Sequence, residues 1–300
     1  MDDNFALLHL PDEMLHMTLM DGQAKVRLCR TTAMARRAAE IHCPSSTALA
    51  AMSRTMTAAA MLGVMMKDEK ASVTVTVAGD GPGGKITAVA HGPHVKISMA
   101  HPEADLPLKA DGHLDVGGLV GRRGRLTVIK DLGMKEPYIG QSALVSGELG
   151  EDFAQYFTVS EQQPSLVALG CLVHERYCLS AGGVLVQAMP GCSEELLEQL
   201  ELRSVFFSAI SREVADVALE DLARAWFDGL EMRILSRETV DYQCDCSREK
   251  MEKALIALGR KELRQMIDED GGAELTCHFC RTAHRFTGSE LEDLLERAGR

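Results

Sequence analysis

Four cysteines near the C-terminal end stand at spacings that can do chemistry. Cys244-Asp245-Cys246 is a C-x-C pair, Cys277-His278-Phe279-Cys280 is a C-x-x-C pair, and 30 residues separate the two. Two close thiol pairs on a small module meet the donor requirement of a tetrahedral Zn2+ site, one ion per chain. A module of about 60 residues with few large apolar side chains folds poorly unaided, and a structural zinc supplies on the order of 10–16 kcal/mol of folding free energy. A passive structural zinc is the commonest use of four such cysteines, but two features point beyond it. C-x-C is an unusual half-site, because structural sites mostly use C-x-x-C on both sides. Each pair can also close on itself as a disulfide once the metal leaves. Zinc-bound thiols stay deprotonated and so remain nucleophilic toward peroxide or hypochlorous acid. Conversion to sulfenate and then disulfide would expel the ion and unfold the module.

The flanking residues define the elements that must hold these thiols. Ser247 can cap a helix running to residue 258, where Gly259 stops it, and a shorter helix covers about 261–268. The turn Glu269-Asp270-Gly271-Gly272 leads into two short strands flanking Cys277 and Cys280. Ser289-Glu290-Leu291-Glu292 has the form of a capping box that opens a final helix. Upstream, Ser193 followed by Glu194 and Glu195 reads as a helix start. A second helical run covers roughly 211–228, with Leu219, Leu222, Ala223, Trp226 and Leu230 on one face and Gly229 as its breaker. A segment so charged on one side and apolar on the other is a helical connector that must dock onto something.

Residues 1–190 read as mixed α and β. Val73, Val75 and Val77 alternate with Thr74 and Thr76 as in a half-buried strand, and a second strand around 86–90 completes a hairpin. Before it, Pro44-Ser45-Ser46 starts a helix in which Leu49, Met52, Met56, Met61 and Met65 form a core face of adaptable side chains. The run from Gly79 to Lys85 fits G-x-x-x-x-G-K. However, Ile86 stands where a P-loop needs Ser or Thr, a strand follows rather than a helix, and Pro82 lacks an N–H for the cradle. It is read as a tight turn. The expected fold class is α+β: an N-terminal domain with antiparallel strands over 1–190, a metastable helical linker over 191–238, and a small zinc-binding module over 239–300.

Composition narrows the function. The chain has 300 residues, 32 Lys and Arg against 44 Asp and Glu, and a net charge of −12, which opposes nucleic acid or an anionic membrane as the main partner. An aromatic content of 4%, with one Trp, opposes base-stacking platforms. Of the longest uncharged stretches, 55–66 is too short to cross a bilayer and 177–193 carries loop residues. The start MDDNFALLHL has acids where a secretory signal needs Lys or Arg, so a cytoplasmic location is expected. There the nine cysteines would be kept reduced. Cys29, Cys43, Cys171, Cys178 and Cys192 lack metal-ligand spacing and read as buried apolar thiols. The C-x-x-C lies between strands rather than at a helix start, unlike a thioredoxin-type site. No Ser/His/Asp or paired-carboxylate arrangement stands out, and Ser160-Glu161-Gln162 reads as a polar cluster fixing a helix end. The rivals are an enzyme in 1–190 carrying a purely structural zinc module, and a zinc-ribbon nucleic-acid binder, which the acidic balance opposes.

Over essentially its full length the chain resembles the redox-regulated 33 kDa heat-shock chaperones of bacteria, which are zinc-dependent holdases. Three signatures carry the likeness: C-x-C and C-x-x-C around the run CSREKMEKALIALGRKELRQMI; Tyr156-Phe157 with Ser160-Glu161-Gln162 and Pro164; and Ala181-Gly182-Gly183-Val184-Leu185-Val186-Gln187 closed by Pro190-Gly191. The resemblance implies a stress-response chaperone with no enzymatic reaction, inactive while reduced and zinc-bound. It implies zinc on Cys244, Cys246, Cys277 and Cys280, and oxidation to the disulfides Cys244–Cys246 and Cys277–Cys280 with loss of the ion. The linker then loosens, the active form dimerises, and unfolding client proteins are held without ATP for later refolding. The apolar face of Leu219, Leu222 and Trp226 would then become available to clients.

Overall fold

The computed structural model describes residues 10–66, 68 and 70–297; the N-terminal stretch examined for a secretory signal lies, up to residue 9, outside them. The chain divides between Gln243 and Cys244 into two compact units.

The first unit holds two sheets. One has the order β10-β1-β2-β9-β8, formed by β1 (Glu13–Leu19), β2 (Ala24–Arg30), β8 (Ser165–His174), β9 (Tyr177–Ala188) and β10 (Met232–Thr239), all antiparallel. The other has the order β11-β5-β4-β3-β6-β7, from β3 (Ser72–Gly79), β4 (Ile86–His91), β5 (His94–Met99), β6 (Gly124–Asp131), β7 (Tyr138–Ala143) and the two-residue β11 (Asp241–Tyr242). Helices α1 (Thr32–His42), α2 (Ser46–Val64), α3 (Val116–Val120) and α4 (Leu149–Val159) complete this part. The expected hairpin is present, with Val75 of β3 opposite Ala88 of β4.

Helix α2 packs against strands of both sheets. Ser45 caps it, accepting from Ala48 N, as its sequence suggests. The sequence pattern pointed to one core face of Met side chains, but the helix is buried almost all round. It can be so because its polar residues satisfy themselves: Ser53, Thr55 and Thr57 donate their hydroxyls back to Leu49 O, Ala51 O and Ser53 O at 2.7–2.9 Å. The small Ala side chains between them let two sheets close on it.

The five-stranded sheet is covered on its other face by α5 (Glu194–Phe207), α6 (Ile210–Asp216) and α7 (Leu219–Trp226). Ser193 caps α5 as read from sequence. The single helix expected over 211–228 is broken, with Val217 in extended conformation between α6 and α7. The break has a cause outside the segment: the Arg30 guanidinium takes the carbonyls of Val214 and Val217 at 2.6 and 2.5 Å. The linker expected to be helical to residue 238 also changes character. From Met232 it is β10, an edge strand whose alternate residues are exposed, paired to β1.

The second unit contains α8 (Arg248–Leu258), α9 (Arg260–Asp270), the hairpin β12 (Gly272–Thr276) and β13 (Ala283–Thr287), and α10 (Gly288–Arg297). Ser247 caps α8 through Lys250 N and Gly259 ends it, as expected. The capping box of α10 lies two residues earlier than its sequence form suggested. Thr287 N donates to Glu290 at 2.8 Å and Glu290 N donates to Thr287 Oγ1 at 3.4 Å, because the β13 strand delivers Thr287, not Ser289, to the helix start. Leu255, Leu263, Phe286, Leu291, Leu294 and Leu295 form a small core of its own, so the unit is less poor in apolar packing than its composition implied.

Candidate metal centre

The two cysteine pairs reach one point from separate parts of the second unit. Cys244 and Cys246 enter it just before the cap of α8; Cys277 and Cys280 sit in the turn between β12 and β13. That turn is tied by Cys277 N donating to Thr282 O and Arg281 N donating to Cys277 O, both at 2.9 Å, with Arg281 in the left-handed region at φ +59°. The hairpin thereby faces both thiols of C-x-x-C the same way.

All four sulfurs lie within 4.8 Å of one another. Cys244 Sγ is 3.7 Å from Cys277 Sγ and Cys246 Sγ is 3.3 Å from Cys280 Sγ. Four sulfurs at the Zn–S bond length of about 2.3 Å on a tetrahedron would be about 3.8 Å apart, so the cluster has the size such an ion requires. His278 and His284, close in sequence, are not members of the group.

The electrostatics agree with the donor set. Burial and the neighbouring thiols push Cys244 up to about 11 and raise Cys246 as well. Burial also opposes ionisation of Cys280, but hydrogen bonds from Thr282, Cys246 and Cys277 outweigh it and bring its thiol down to about 6. Left to itself the cluster stabilises one thiolate at the expense of its neighbours. A divalent cation would supply the positive charge that lets all four ionise together. Asp245 pairs with Lys250 beside the site, and Arg248 lies over the Phe286 ring at 4.3 Å while pairing with Glu290 at 2.5 Å.

The Hsp33 protein family profile matches residues 12–287. The chain belongs to the Hsp33 family. Among its relatives, a 33 kDa chaperonin of Clostridium perfringens strain SM101 is 40% identical over 291 residues, covering 96% of this chain and 92% of the relative. One from Clostridium botulinum strain Hall is also 40% identical, with 96% and 98% covered. The crystal structure of a 33 kDa chaperonin from Thermotoga maritima superposes with a TM-score of 0.85 at 32% identity, over 96% of this chain and 99% of that one.

Leu219, Leu222 and Trp226 of this Hsp33-family chain are not free for a partner. They are buried against Leu15, Met17, Leu28, Val184 and neighbouring strand residues. Trp226 packs on Phe207 with ring centroids 5.0 Å apart and planes tilted by 46°, and donates its indole N–H to Glu213 at 2.7 Å. The glycines of the Ala181–Gln187 signature now have a reason. A Cβ on Gly182 would stand 2.4 Å from Cys29 O and 3.1 Å from the Val214 methyls on the α6 side; one on Gly183 would meet Thr57 of α2 at 2.9 Å. Ser180 donates to Ser211 O of α6. The second signature is a structural clasp: Lys130 donates to Glu161 at 2.6 Å, Tyr156 donates to the same carboxylate, and Tyr138 donates to Ser160 O at 3.1 Å.

Arg30 was not singled out from sequence. Its side chain is 2% exposed, holds three backbone carbonyls and lies 3.8 Å from Glu13. An Arg ending a strand carries no local sign of this role. The Gly79–Lys85 segment is a turn, as read; Gly81 and Gly83 spend their N–H groups on Val120 O and Leu119 O at 3.0 Å, leaving no phosphate cradle there. Of the remaining thiols Cys29, Cys171 and Cys178 are buried, but Cys192 is only half-buried just before the cap of α5, and Cys43 is exposed at the left-handed C-cap of α1. Among the described residues no helix is long and apolar enough to cross a membrane.

Proposed function

We propose that this chain is a cytoplasmic, oxidation-activated, ATP-independent holdase chaperone with one Zn2+ on Cys244, Cys246, Cys277 and Cys280. The observation that carries the reading is the convergence of those four thiols within 4.8 Å in a chain of the Hsp33 family. The 33 kDa chaperonin names of its relatives support a chaperone role. Bound zinc would hold the thiolates ionised and poised for oxidants.

Oxidation of Cys244 to Cys246 and of Cys277 to Cys280 would remove every donor of the site, each pair of thiolates giving up two electrons to peroxide or hypochlorous acid, their protons having already left when the metal bound. The second unit then loses the folding free energy that its metal contributes. The α5–α7 cover of the five-stranded sheet is the segment proposed to loosen in response. Its release would bare Leu219, Leu222 and Trp226 together with the sheet face beneath, an apolar surface suited to unfolding clients and to a second copy of the chain.

The test is light scattering of a thermally unfolding client, with the protein either reduced and zinc-loaded or pretreated with peroxide at mild heat, while a chromogenic chelator reports released zinc. Aggregation suppressed only after oxidation, in step with about one zinc per chain, is expected. Suppression in neither state would overturn the reading. Cys277→Ser and Cys280→Ser should each weaken zinc binding; unchanged affinity would contradict the ligand assignment.

A further inference from the structure

The β8–β9 hairpin carries a second pair of thiols. Its tip is Glu175-Arg176, both in the left-handed region at φ +47° and +68°, a two-residue turn that suits a tight hairpin. The register places Cys178 opposite Val173 and Ala181 opposite Cys171, with an irregularity between Leu172 and Val173. Side chains two apart on a strand share a face, so Cys171, Val173 and Cys178 point the same way, toward the α2 side of the core. Cys171 Sγ and Cys178 Sγ are 3.8 Å apart. Both thiols belong to the first unit, and neither is part of the four-cysteine group.

The two are chemically unequal. Cys171 retains 8% exposure while Cys178 has none. A hydrogen bond from the Cys178 thiol, aided by Ser53 and the Arg54 charge, outweighs burial and lowers Cys171, whereas the same contact and burial raise Cys178. Arg36 grips the backbone behind the pair, donating to Cys178 O at 2.9 Å and Leu179 O at 3.2 Å.

We infer that Cys171 and Cys178 are a second, metal-independent dithiol that closes to an intra-hairpin disulfide on exposure to hydrogen peroxide. The Cys171 thiolate attacks one peroxide oxygen; the O–O bond breaks and hydroxide departs, becoming water. The Cys171 sulfenic acid that remains is attacked by the Cys178 sulfur. The S–O bond breaks, the S–S bond forms, and the Cys178 proton leaves with the hydroxide as a second water. Two thiols lose two hydrogens and two electrons, and one peroxide is reduced to two waters. The sulfurs must close from 3.8 Å to about 2.05 Å. The register irregularity, where β9 carries an extra residue, supplies the slack. The resulting staple holds the hairpin of the first unit under the same oxidants that act on the second. The inference does not rest on the holdase reading.

Trypsin tests it directly, because Arg176 lies between the two cysteines and cleavage yields peptides 136–176 and 177–203. The full zinc-loaded chain is used with Cys192→Ser, which removes the other thiol of the second peptide. After peroxide the protein is acid-quenched, alkylated in guanidinium with N-ethylmaleimide, digested and weighed. A linked 136–176/177–203 pair, two hydrogens lighter than the sum and released by dithiothreitol, is expected. Separate peptides with both thiols alkylated, at exposures that fully oxidise the four-cysteine site, would overturn the inference. So would Cys171 found as sulfinic acid without the link.

Discussion

Arg30→Met is the substitution that most sharply tests how the linker helices are held. Arg30 ends β2, and its guanidinium reaches Val214 O at 2.6 Å, Val217 O at 2.5 Å and Pro11 O at 3.2 Å. The first two are the carbonyls of the α6–α7 break, so the contact belongs to the docked linker. Met keeps a flexible apolar stem but offers no donor. Each buried carbonyl left without a partner costs about 1–3 kcal/mol, which for two is ~2–6 kcal/mol. Part is offset because Arg30 no longer has to be desolvated, and burial already lowers its pKa for that reason. A net loss of ~3 kcal/mol shifts the docked-to-undocked ratio by roughly a hundredfold. The assay is hydrogen exchange of the reduced, zinc-loaded protein, read by mass spectrometry. Protection should fall about a hundredfold in α6 and α7 while α2 and the β3–β4 hairpin hold theirs. Aggregation suppression without oxidant should rise alongside. Unchanged protection in α6 and α7 would refute the latch, and a uniform loss across the first unit would make Arg30 a general core residue instead. Arg30→Lys should fall between, since one ammonium cannot fork to both carbonyls.

Three further outcomes follow from other contacts. Asp12 accepts from Ala33 N at 3.0 Å and Met34 N at 2.8 Å at the start of α1, yet burial pushes its carboxyl up to about 6. The folded state therefore binds a proton that the unfolded state has already lost, so this contribution is present at pH 4 and disappears as pH rises through 6, by about 3 kcal/mol. His16, brought down to about 4 by burial, contributes in the opposite sense, so the reading is the difference between wild type and Asp12→Asn in urea unfolding. That difference should shift against the wild type from pH 4 to 7, and a shift in its favour would reverse the sign argued here. Trp226 is the one tryptophan of the chain and is buried on Phe207. Its emission should move to the red and become quenchable by acrylamide when oxidation releases the metal, and an unmoved spectrum after full release would uncouple the linker from the site. Gly182→Ala would place a Cβ 2.4 Å from Cys29 O; it should lower the first unit's stability by ~1–3 kcal/mol, seen as a reduced thermal midpoint, and an unchanged midpoint would mean that strand and helix yield freely there.

Local physics made much of this protein legible before any coordinates. A cap is a contact between residues three apart, so Ser45, Ser193 and Ser247 could be read directly. Alternation along 73–77 is the pleat itself, and paired cysteines across a 30-residue gap narrow the chemistry to a few metals. The antiparallel α+β class and the family resemblance came from the same kind of signal. What the sequence left undecided depends on contacts between distant segments. The α6–α7 break is made by Arg30, some 184 residues away along the chain, and helical periodicity in 211–228 has no term for it. Residues 232–239 become a strand because β1 offers an open edge. That α2 is buried almost all round, and that one sheet packs helices on both faces, follows from how two sheets close around it. The Cys171–Cys178 approach arises because a tight turn and a register irregularity bring two strand positions together. Side-chain spacing encodes what neighbours in the chain can do for each other; the tertiary fold decides which distant backbone groups must be satisfied, and by whom.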